Sequence, residues 1–225
     1  MNNYWTIIFK VAMEKGFILL VLPLLLCGCK KDNNNVFTEY YNNKVALFIE
    51  ENKTLGPVDV CVIGDSLTDL CDFNIYYPDL KIANRGIGGD TTTGVLNRLD
   101  CSLIDVDMKV VSLFIGINNS NTMFNDYEDI LKALSQFKPN AAKVILSLTP
   151  TTNDFEGLND TVNSNNIRIK QLAESYLYTY VDINTPLKDE KGHLKQEYTT
   201  DGLHFSDEGY KKIASVVDPI YKSFL

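Results

Sequence analysis

Five residues of the sequence have the types and the order that nucleophilic catalysis needs. Ser66 follows an apolar run at a predicted strand end, where an exposed hydroxyl can attack a substrate. Gly89 closes a segment with three glycines before a predicted helix, and backbone N–H groups there can bind a small oxyanion. Asn118 adds an amide donor, and Asp201 precedes His204 closely enough to orient its imidazole as a base. Together they offer a nucleophile, oxyanion donors and an Asp–His pair.

Each of these segments, taken alone, also has a plainer interpretation. Ser66 could cap a helix in an ordinary strand–helix turn, and Asn118 could belong to an asparagine-rich turn. The glycine segment could be a phosphate loop, but it has neither the dinucleotide-binding nor the Walker spacing. The second histidine, His193, lies in a polar stretch that is typical of a solvated loop. The catalytic interpretation therefore depends on the joint pattern, with His204 as the only well-placed base.

The composition excludes several classes of protein. The chain has 225 residues, of which 45% are hydrophobic and 22% charged, as expected for one globular domain with an additional segment. The formal net charge of −8 implies no basic face, so we expect no binding of nucleic acid. Five cysteines without a paired CxxC spacing and only two histidines argue against a zinc scaffold or a multi-histidine metal site.

Short apolar runs alternate with amphipathic segments along most of the chain. The predicted strands are Val58–Ile63, Lys81–Asn84, Val110–Ile115, Val144–Leu148 and Tyr178–Ile183. The predicted helices are Thr38–Lys53, Thr91–Leu103, Asp126–Phe137, Asp160–Tyr176 and Asp207–Phe224. Asp90 is placed to cap the second of these helices. The alternation indicates βαβ crossovers and a parallel sheet, at whose carboxyl edge ligands bind and the catalytic candidates should meet.

Residues 1–28 have the layout of a secretory leader. A positively charged start precedes the uncharged run Gly16–Gly28, which is too short to span a membrane. The run ends in Leu26-Cys27-Gly28-Cys29, which resembles the lipobox of bacterial lipoproteins, where the final cysteine is lipidated. Cys27 stands where Ala, Ser or Thr is more usual. An uncleaved signal anchor is the alternative interpretation.

The lipidated residue would be Cys29. It begins a polar tether, residues 29–36, and the globular domain then occupies residues 37–225. We therefore expect an exported bacterial lipoprotein, held on a membrane by the lipid on Cys29 while its domain stays in water. The sequence leaves open whether the protein faces the periplasm or the cell surface, and it also leaves the oligomeric state open.

Four further side chains receive structural interpretations. Cys71 and Cys101 could pair in an exported protein, but their spacing gives no warrant for a disulfide. Arg85 lies in the glycine segment, where it could contact a charged substrate, and Arg98 lies in the helix that follows, where a salt bridge is the commoner role. We favour the simpler interpretation for both arginines, in which they form salt bridges on a solvated face.

The catalytic segments resemble the motifs of the SGNH hydrolase superfamily, also called GDSL esterases and lipases, over roughly Val58 to Lys222. The resemblance is carried by Gly64-Asp65-Ser66-Leu67, Asn84 to Thr92, Gly116-Ile117-Asn118-Asn119 and Asp201-Gly202-Leu203-His204. Asn119 replaces the Asp that more commonly ends the third motif. This variant, with the arginine motif around Arg98 and the stretch after His204, is similar to the catalytic subunits of platelet-activating-factor acetylhydrolase and their bacterial relatives.

The resemblance implies a three-layer α/β/α sandwich with a central parallel sheet, of flavodoxin-like type. It implies that Ser66 attacks an ester carbonyl, that His204 takes and returns the proton, and that Asp201 holds the imidazole tautomer. The backbone N–H groups of Ser66 and Gly89, with the Asn118 side chain, would form the oxyanion hole. It implies neither a metal nor an organic cofactor.

The activity implied by the resemblance is hydrolysis of short-chain, chiefly acetyl, carboxylic esters through an acyl-enzyme. An exported protein would meet acetylated glycans, so a carbohydrate O-acetylesterase ranks ahead of a lysophospholipase or lipase-type esterase. A non-catalytic glycan-binding lipoprotein is the alternative from another class. The motifs do not define the alcohol side of the substrate, which depends on loops such as 71–79, 151–159 and 186–200.

Overall fold

The computed structural model describes residues 38–155 and 157–225. These two segments contain the whole of the predicted hydrolase domain except residues 37 and 156. The predicted leader, the tether and Cys29 lie outside the described residues. Within the described segments, no helix is both long enough and apolar enough to cross a membrane.

A five-stranded sheet forms the centre of the fold. Its strands are β1 (Val58–Gly64), β2 (Ile82–Gly86), β3 (Met108–Phe114), β4 (Ala142–Leu146) and β5 (Thr179–Val181). They pair in the order β2-β1-β3-β4-β5, and every pairing is parallel. The predicted parallel sheet is confirmed, with strand ends that differ from the prediction by no more than two residues.

Helices connect the strands and cover both faces of the sheet. They are α1 (Glu39–Asn52), α2 (Ser66–Asp69), α3 (Phe73–Tyr76), α4 (Thr92–Leu103), α5 (Tyr127–Phe137), α6 (Leu158–Ser175) and α7 (Asp207–Lys222). Because β1 lies between β2 and β3, the crossovers β1→β2 and β2→β3 run in opposite directions along the sheet. Right-handed crossovers therefore place their helices on opposite faces, which gives the expected three-layer arrangement.

The central strands are buried because helices cover both of their faces. Nearly every residue of β1 and β3 is buried, and both strands are rich in branched aliphatic side chains. The buried polar side chain of β3, Ser112, accepts a hydrogen bond from the hydroxyl of Tyr221 at 2.7 Å. This bond fixes α7 against the middle of the sheet and satisfies a polar group that would otherwise be costly to bury.

Two sequence predictions about charged residues were wrong in part. Asp90 does not cap α4, because Thr91 is the capping residue and its side-chain oxygen accepts from Gly94 N at 3.2 Å. Arg85 and Arg98 form salt bridges as expected, but their side chains are only 2% and 1% exposed rather than solvated. Helix α1 covers this part of the molecule, and the hydrophobic pattern of single segments does not reveal that packing.

The described cysteines have structural positions. Cys61 is buried in β1 and Cys101 in α4, whereas Cys71 is partly buried just after α2. No disulfide joins Cys71 to Cys101 in this part of the chain. Burial raises the pKa of the Cys71 thiol to about 12, so little of it is present as the nucleophilic thiolate at neutral pH.

Candidate active site

The nucleophile stands directly after the central strand β1. Gly64 ends that strand, and a Cβ there would come within 2.2 Å of a threonine hydroxyl of α2 and 2.4 Å of the Phe114 carbonyl oxygen. Glycine is therefore required for this close approach. Asp65 caps α2, because its Oδ1 accepts from Leu67 N at 3.0 Å. Ser66 is consequently not the helix cap, and its hydroxyl is available to the base.

Two hydrogen bonds join the acid, the base and the nucleophile. His204 Nε2 lies 3.0 Å from Ser66 Oγ, and His204 Nδ1 lies 2.6 Å from Asp201 Oδ2. The other carboxylate oxygen, Asp201 Oδ1, accepts from His204 N at 2.7 Å and from Leu203 N at 3.0 Å. The structure thus brings together Ser66 and His204, which are 138 positions apart in the chain.

The charge of Asp201 determines the tautomer of the imidazole. The hydrogen bond from His204 lowers the pKa of Asp201 to about 2, against a smaller opposing effect of burial. The carboxylate is therefore ionised at neutral pH and can only accept, so the proton of the neutral imidazole resides on Nδ1. Nε2 then presents its lone pair to the Ser66 hydroxyl, which is the arrangement that a general base needs.

A tight turn holds the acid and the base. Thr199 and Phe205 pair across it as an isolated antiparallel bridge. Gly202 has a φ of +93°, and a Cβ at this position would lie 2.4 Å from Thr152 Oγ1. Thr152 N also donates to the Gly202 carbonyl oxygen at 3.0 Å. The loop that follows β4 therefore braces the acid–base turn from the side.

The glycine segment forms a loop beside the nucleophile, here called the oxyanion loop (Ile87–Asp90). A hydrogen bond of 3.1 Å between its last N–H and its first carbonyl oxygen closes the loop, and Gly89 has a φ of +76°. Gly88 donates from its N–H to Asp69 Oδ2 of α2 at 2.9 Å. The N–H of Gly89 does not take part in closing the loop. The N–H of Ser66, at the first position of α2, has no acceptor within its own helix.

The loop after β3 contributes two amide side chains. Asn118 Nδ2 donates to the Asp90 carbonyl oxygen at 2.8 Å, so this amide lies against the oxyanion loop. Asn119 Nδ2 donates to Thr92 Oγ1 at 2.8 Å, and Asn119 Oδ1 accepts from Thr92 N at 3.3 Å. Asn119 thus fastens the β3 loop to the first turn of α4, next to the oxyanion loop. This contact gives the departure from the commoner Asp at that position a structural role.

A second carboxyl group lies buried beside the nucleophile. Asp65 is 1% exposed, and burial raises its pKa to about 7. The hydrogen bond from Leu67 N opposes this shift, and the charge of Asp90 reinforces it. Asp65 and Asp201 therefore differ in charge over a wide pH range. The sequence carries no signal for this difference, because it follows from three-dimensional burial.

The second histidine lies in a different turn. His193 N donates to Asp189 Oδ1 at 2.9 Å, and Asp189 N donates to the His193 carbonyl oxygen at 2.8 Å. The hydrogen bonds found among the described residues do not join this turn to Ser66. In the same part of the chain, no group of three or more His, Cys, Asp or Glu side chains is arranged to hold a metal ion.

Known proteins resemble this chain over most of the described fold. The model of the GDSL-like lipase/acylhydrolase family matches residues 62–212, a segment that contains the nucleophile, the acid and the base. The chain is 28% identical over 191 residues to platelet-activating factor acetylhydrolase IB subunit alpha2 of Rattus norvegicus, covering 79% of this chain and 82% of that protein. It is 27% identical over 201 residues to the N-acylneuraminate cytidylyltransferase of Escherichia coli, covering 86% of this chain. The match covers 47% of that relative's length, so the chain spans about half of it.

Solved structures share the fold. A Streptococcus pneumoniae protein described as a platelet activating factor matches with a TM-score of 0.75 and 26% identity, over 81% of this chain and 92% of that chain. An acetylxylan esterase of Geobacillus stearothermophilus matches with a TM-score of 0.60 and 20% identity, over 73% of this chain and 94% of that chain. The family match covers more than half of the sequence. The chain therefore belongs to the GDSL-like lipase/acylhydrolase family and is a carboxylic ester hydrolase.

Proposed function

We propose that the protein is a serine esterase that hydrolyses short-chain, chiefly acetyl, esters through an acyl-enzyme on Ser66. The observation that carries this proposal is the hydrogen-bonded path from Asp201 through His204 to the Ser66 hydroxyl, with steps of 2.6 and 3.0 Å. A serine hydroxyl is a weak nucleophile near neutral pH until a base accepts its proton, and this path supplies the base.

The first half of the reaction forms the acyl-enzyme. Ser66 Oγ attacks the ester carbonyl carbon while its proton passes to His204 Nε2. The resulting oxyanion accepts hydrogen bonds from the N–H groups of Ser66 and Gly89 and from the Asn118 amide. Asp201 stabilises the imidazolium without taking its proton. The imidazolium then gives the proton to the leaving alcohol as the ester C–O bond breaks.

The second half returns the enzyme to its starting state. A water molecule takes the place of the alcohol, and His204 Nε2 accepts its proton as the water oxygen attacks the acyl carbonyl. The second tetrahedral intermediate uses the same oxyanion donors. When it collapses, the proton on His204 passes to Ser66 Oγ, and the carboxylic acid is released. Every proton thus moves through one imidazole nitrogen, and no further reactant is required.

An acetylated glycan is the substrate class that we favour. The relatives of the chain include an acetylhydrolase, and its structural neighbours include an acetylxylan esterase. The acid and the base are open to solvent, since 52% of the Asp201 side chain and 31% of the His204 side chain are exposed. A bulky alcohol such as a sugar chain can therefore approach the leaving-group side of the site. A short acyl group needs little room on the opposite side.

The first experiment compares full-length wild-type protein with Ser66→Ala on p-nitrophenyl acetate. We expect the variant to lose about 1,000-fold or more in kcat, because the nucleophile and its base act as a unit. His204→Ala should show a similar loss. His193→Ala is the matched control and should keep the wild-type rate. Equal rates for wild type and Ser66→Ala would refute the serine mechanism and favour a non-catalytic glycan-binding lipoprotein.

A second experiment separates the candidate substrates. An acyl series from acetate to palmitate should show kcat/KM falling as the chain lengthens. A flat or rising profile would instead favour a lysophospholipase or lipase-type esterase. A panel of acetylated sugars, acetylated xylans and lysophospholipids then compares the alcohol sides. Release of acetate from the carbohydrate members, well above release of acyl chains from the lipids, is the expected result.

We further propose that the protein is exported and anchored to a membrane by a lipid on Cys29. The support is the leader-like residues 1–28 and the polar tether that follows. Labelled palmitate given to a bacterial host should enter the wild-type protein but not Cys29→Ala. Cys27→Ala is the matched control and should keep the label, because alanine is more usual at that position. Label retained in Cys29→Ala would contradict the anchor.

A further inference from the structure

A buried cation lies between the nucleophile strand and the oxyanion loop. Arg98 on α4 is 1% exposed, and each of its three guanidinium nitrogens has a partner. Nε donates to Asp90 Oδ2 at 2.8 Å, Nη1 to Ser102 Oγ at 2.9 Å, and Nη2 to the Gly64 carbonyl oxygen at 3.0 Å. Asp90 ends the oxyanion loop, and Gly64 ends β1 two residues before Ser66. One side chain thus contacts both segments that present the backbone oxyanion donors.

The partner of this arginine is itself held in one position. The Asp90 carboxylate accepts from the next backbone N–H at 2.8 Å. It also packs against Gly94, where a Cβ would come within 1.8 Å of Asp90 Oδ1. The Asp90 carbonyl oxygen accepts from Asn118 Nδ2 at 2.8 Å. Asp90 therefore transmits the position of Arg98 to the main chain beside Gly89 and to the third oxyanion donor.

We propose that Arg98 is a positioning residue for catalysis, which fixes the oxyanion N–H of Gly89 relative to Ser66. The inference rests on the proposed function of these two residues. Its physical basis is that oxyanion donors lower the barrier only when they already lie where negative charge develops. A displacement of about 1 Å can cost about 100-fold in rate.

The shape of the guanidinium separates positioning from charge compensation. An ammonium group at this position can neutralise Asp90, but it cannot hold Asp90, Ser102 and Gly64 in three fixed directions at once. Arg98→Lys should therefore keep the stability that depends on the buried charge and still lose catalytic rate. If Arg98 only compensated charge, Arg98→Lys would keep both the stability and the catalytic rate of the wild type.

Arg85 on β2 provides a matched control. It is 2% exposed, and it donates to Glu51 Oε2 at 2.9 Å and to Asn52 Oδ1 at 2.7 Å. Its guanidinium carbon lies 4.8 Å from the centre of the Phe48 ring, and that of Arg98 lies 5.7 Å from the same ring. The two arginines share burial and an aromatic neighbour, but the side-chain partners of Arg85 belong to α1. Its loss should affect folding without moving the oxyanion donors.

The experiment compares full-length wild type with Arg98→Lys, Arg98→Met and Arg85→Met. It measures kcat and KM for p-nitrophenyl acetate, the melting temperature, and inhibition by phenylboronic acid, whose serine adduct mimics the tetrahedral intermediate. We expect both Arg98 variants to lose about 10- to 100-fold in kcat with KM changed less than about threefold. Affinity for the boronic acid should fall in parallel. Arg85→Met should lower Tm and leave kcat within about threefold of wild type.

Three results would overturn the inference. They are Arg98→Lys with wild-type kcat, Arg98→Lys with lower kcat but unchanged affinity for the boronic acid, and Arg85→Met with an equal loss of kcat. Because Arg98→Lys keeps the charge that Asp90 requires, the comparison stands even where Arg98→Met fails to fold. Failure of the proposed function would be seen separately, as equal rates for wild type and Ser66→Ala.

Discussion

Replacement of Asp65 by asparagine should stabilise the protein, and the gain should grow with pH. The carboxyl is 1% exposed, and burial raises its pKa from 3.8 to about 7. Asparagine has the shape of the protonated acid, and its side-chain oxygen can still accept from Leu67 N to cap α2. The substitution therefore removes the cost of ionising a buried group while it keeps the cap.

The size and sign of the effect follow from proton linkage. The folded protein keeps the Asp65 proton up to about pH 7, whereas the unfolded chain loses it near pH 3.8. The wild type therefore has its full stability below pH 3.8. Its stability falls as pH rises from 3.8 to about 7, because over this range the carboxyl ionises in the unfolded chain and stays protonated in the folded protein. Each pKa unit is worth about 1.4 kcal/mol, so the whole shift amounts to about 4 kcal/mol. The advantage of Asp65→Asn should be small near pH 4 and should level off above about pH 7.

Urea unfolding of both proteins from about pH 4.5 to about pH 8.5 measures this difference. All other titrating groups are shared, so subtraction isolates Asp65. Asp72 gives a matched control, because it caps α3 by accepting from Asn74 N at 3.1 Å but is itself exposed. Asp72→Asn should change the free energy of unfolding by less than about 0.5 kcal/mol at every pH. A difference for Asp65→Asn that does not vary with pH would refute the reasoning, since the buried carboxyl would then not carry the raised pKa.

Three further substitutions test the site and its support. Asp201→Asn should lower kcat about 100- to 1,000-fold, because it favours the wrong imidazole tautomer. This loss is smaller than the roughly 10⁴-fold loss for a buried triad acid, because 52% of the Asp201 side chain is exposed to solvent. The control Asp189→Asn should keep the wild-type kcat, and an equal loss there would contradict the assignment of the acid. Asn118→Ala should lower kcat about 100- to 1,000-fold, whereas an effect confined to KM would argue against an oxyanion donor. Gly64→Ala should lower the free energy of unfolding by more than about 2 kcal/mol, because its Cβ would lie 2.4 Å from a carbonyl oxygen of β3. Stability in urea close to wild type would show that the strand end relaxes freely.

The sheet and the loops that follow its first three strands could be predicted because their signals are local. β1 and β3 are short apolar runs, and a glycine marks the end of each of the three strands: Gly64 ends β1, Gly86 ends β2 and Gly116 lies two residues after β3. Since these strands are neighbours in the order β2-β1-β3, their carboxyl ends meet at one place. Ser66, Gly89 and Asn118 are carried there by the topology alone. Long-range packing did not have to be known to place them.

Burial could not be predicted in the same way, and the arginines show why. Arginine is seldom buried, so a solvated face was the reasonable expectation for Arg85 and Arg98. Helix α1 encloses both side chains through Phe48, and this helix is distant from Arg98 in the sequence. Asp90 looked like a helix cap for a related reason. An aspartate before a helix caps it in many proteins, but here the carboxylate is needed as the partner of a buried cation.

The position of the acid–base turn explains why the alcohol side of the substrate is the least predictable feature. The turn follows β5, which lies three strand spacings, about 14 Å, from β1 in the sheet. The chain must therefore return past β4 before His204 can reach Ser66, and Leu194 N donates to Thr151 O at 3.0 Å on this path. The sheet fixes the position of β5 at the start of this path, and the triad geometry fixes the position of the turn at its end. The residues between β5 and the turn take no part in the hydrogen bonds of the triad, so the triad geometry does not determine their types. The motifs therefore identify the class of bond that is broken, whereas no motif of the chain identifies the alcohol.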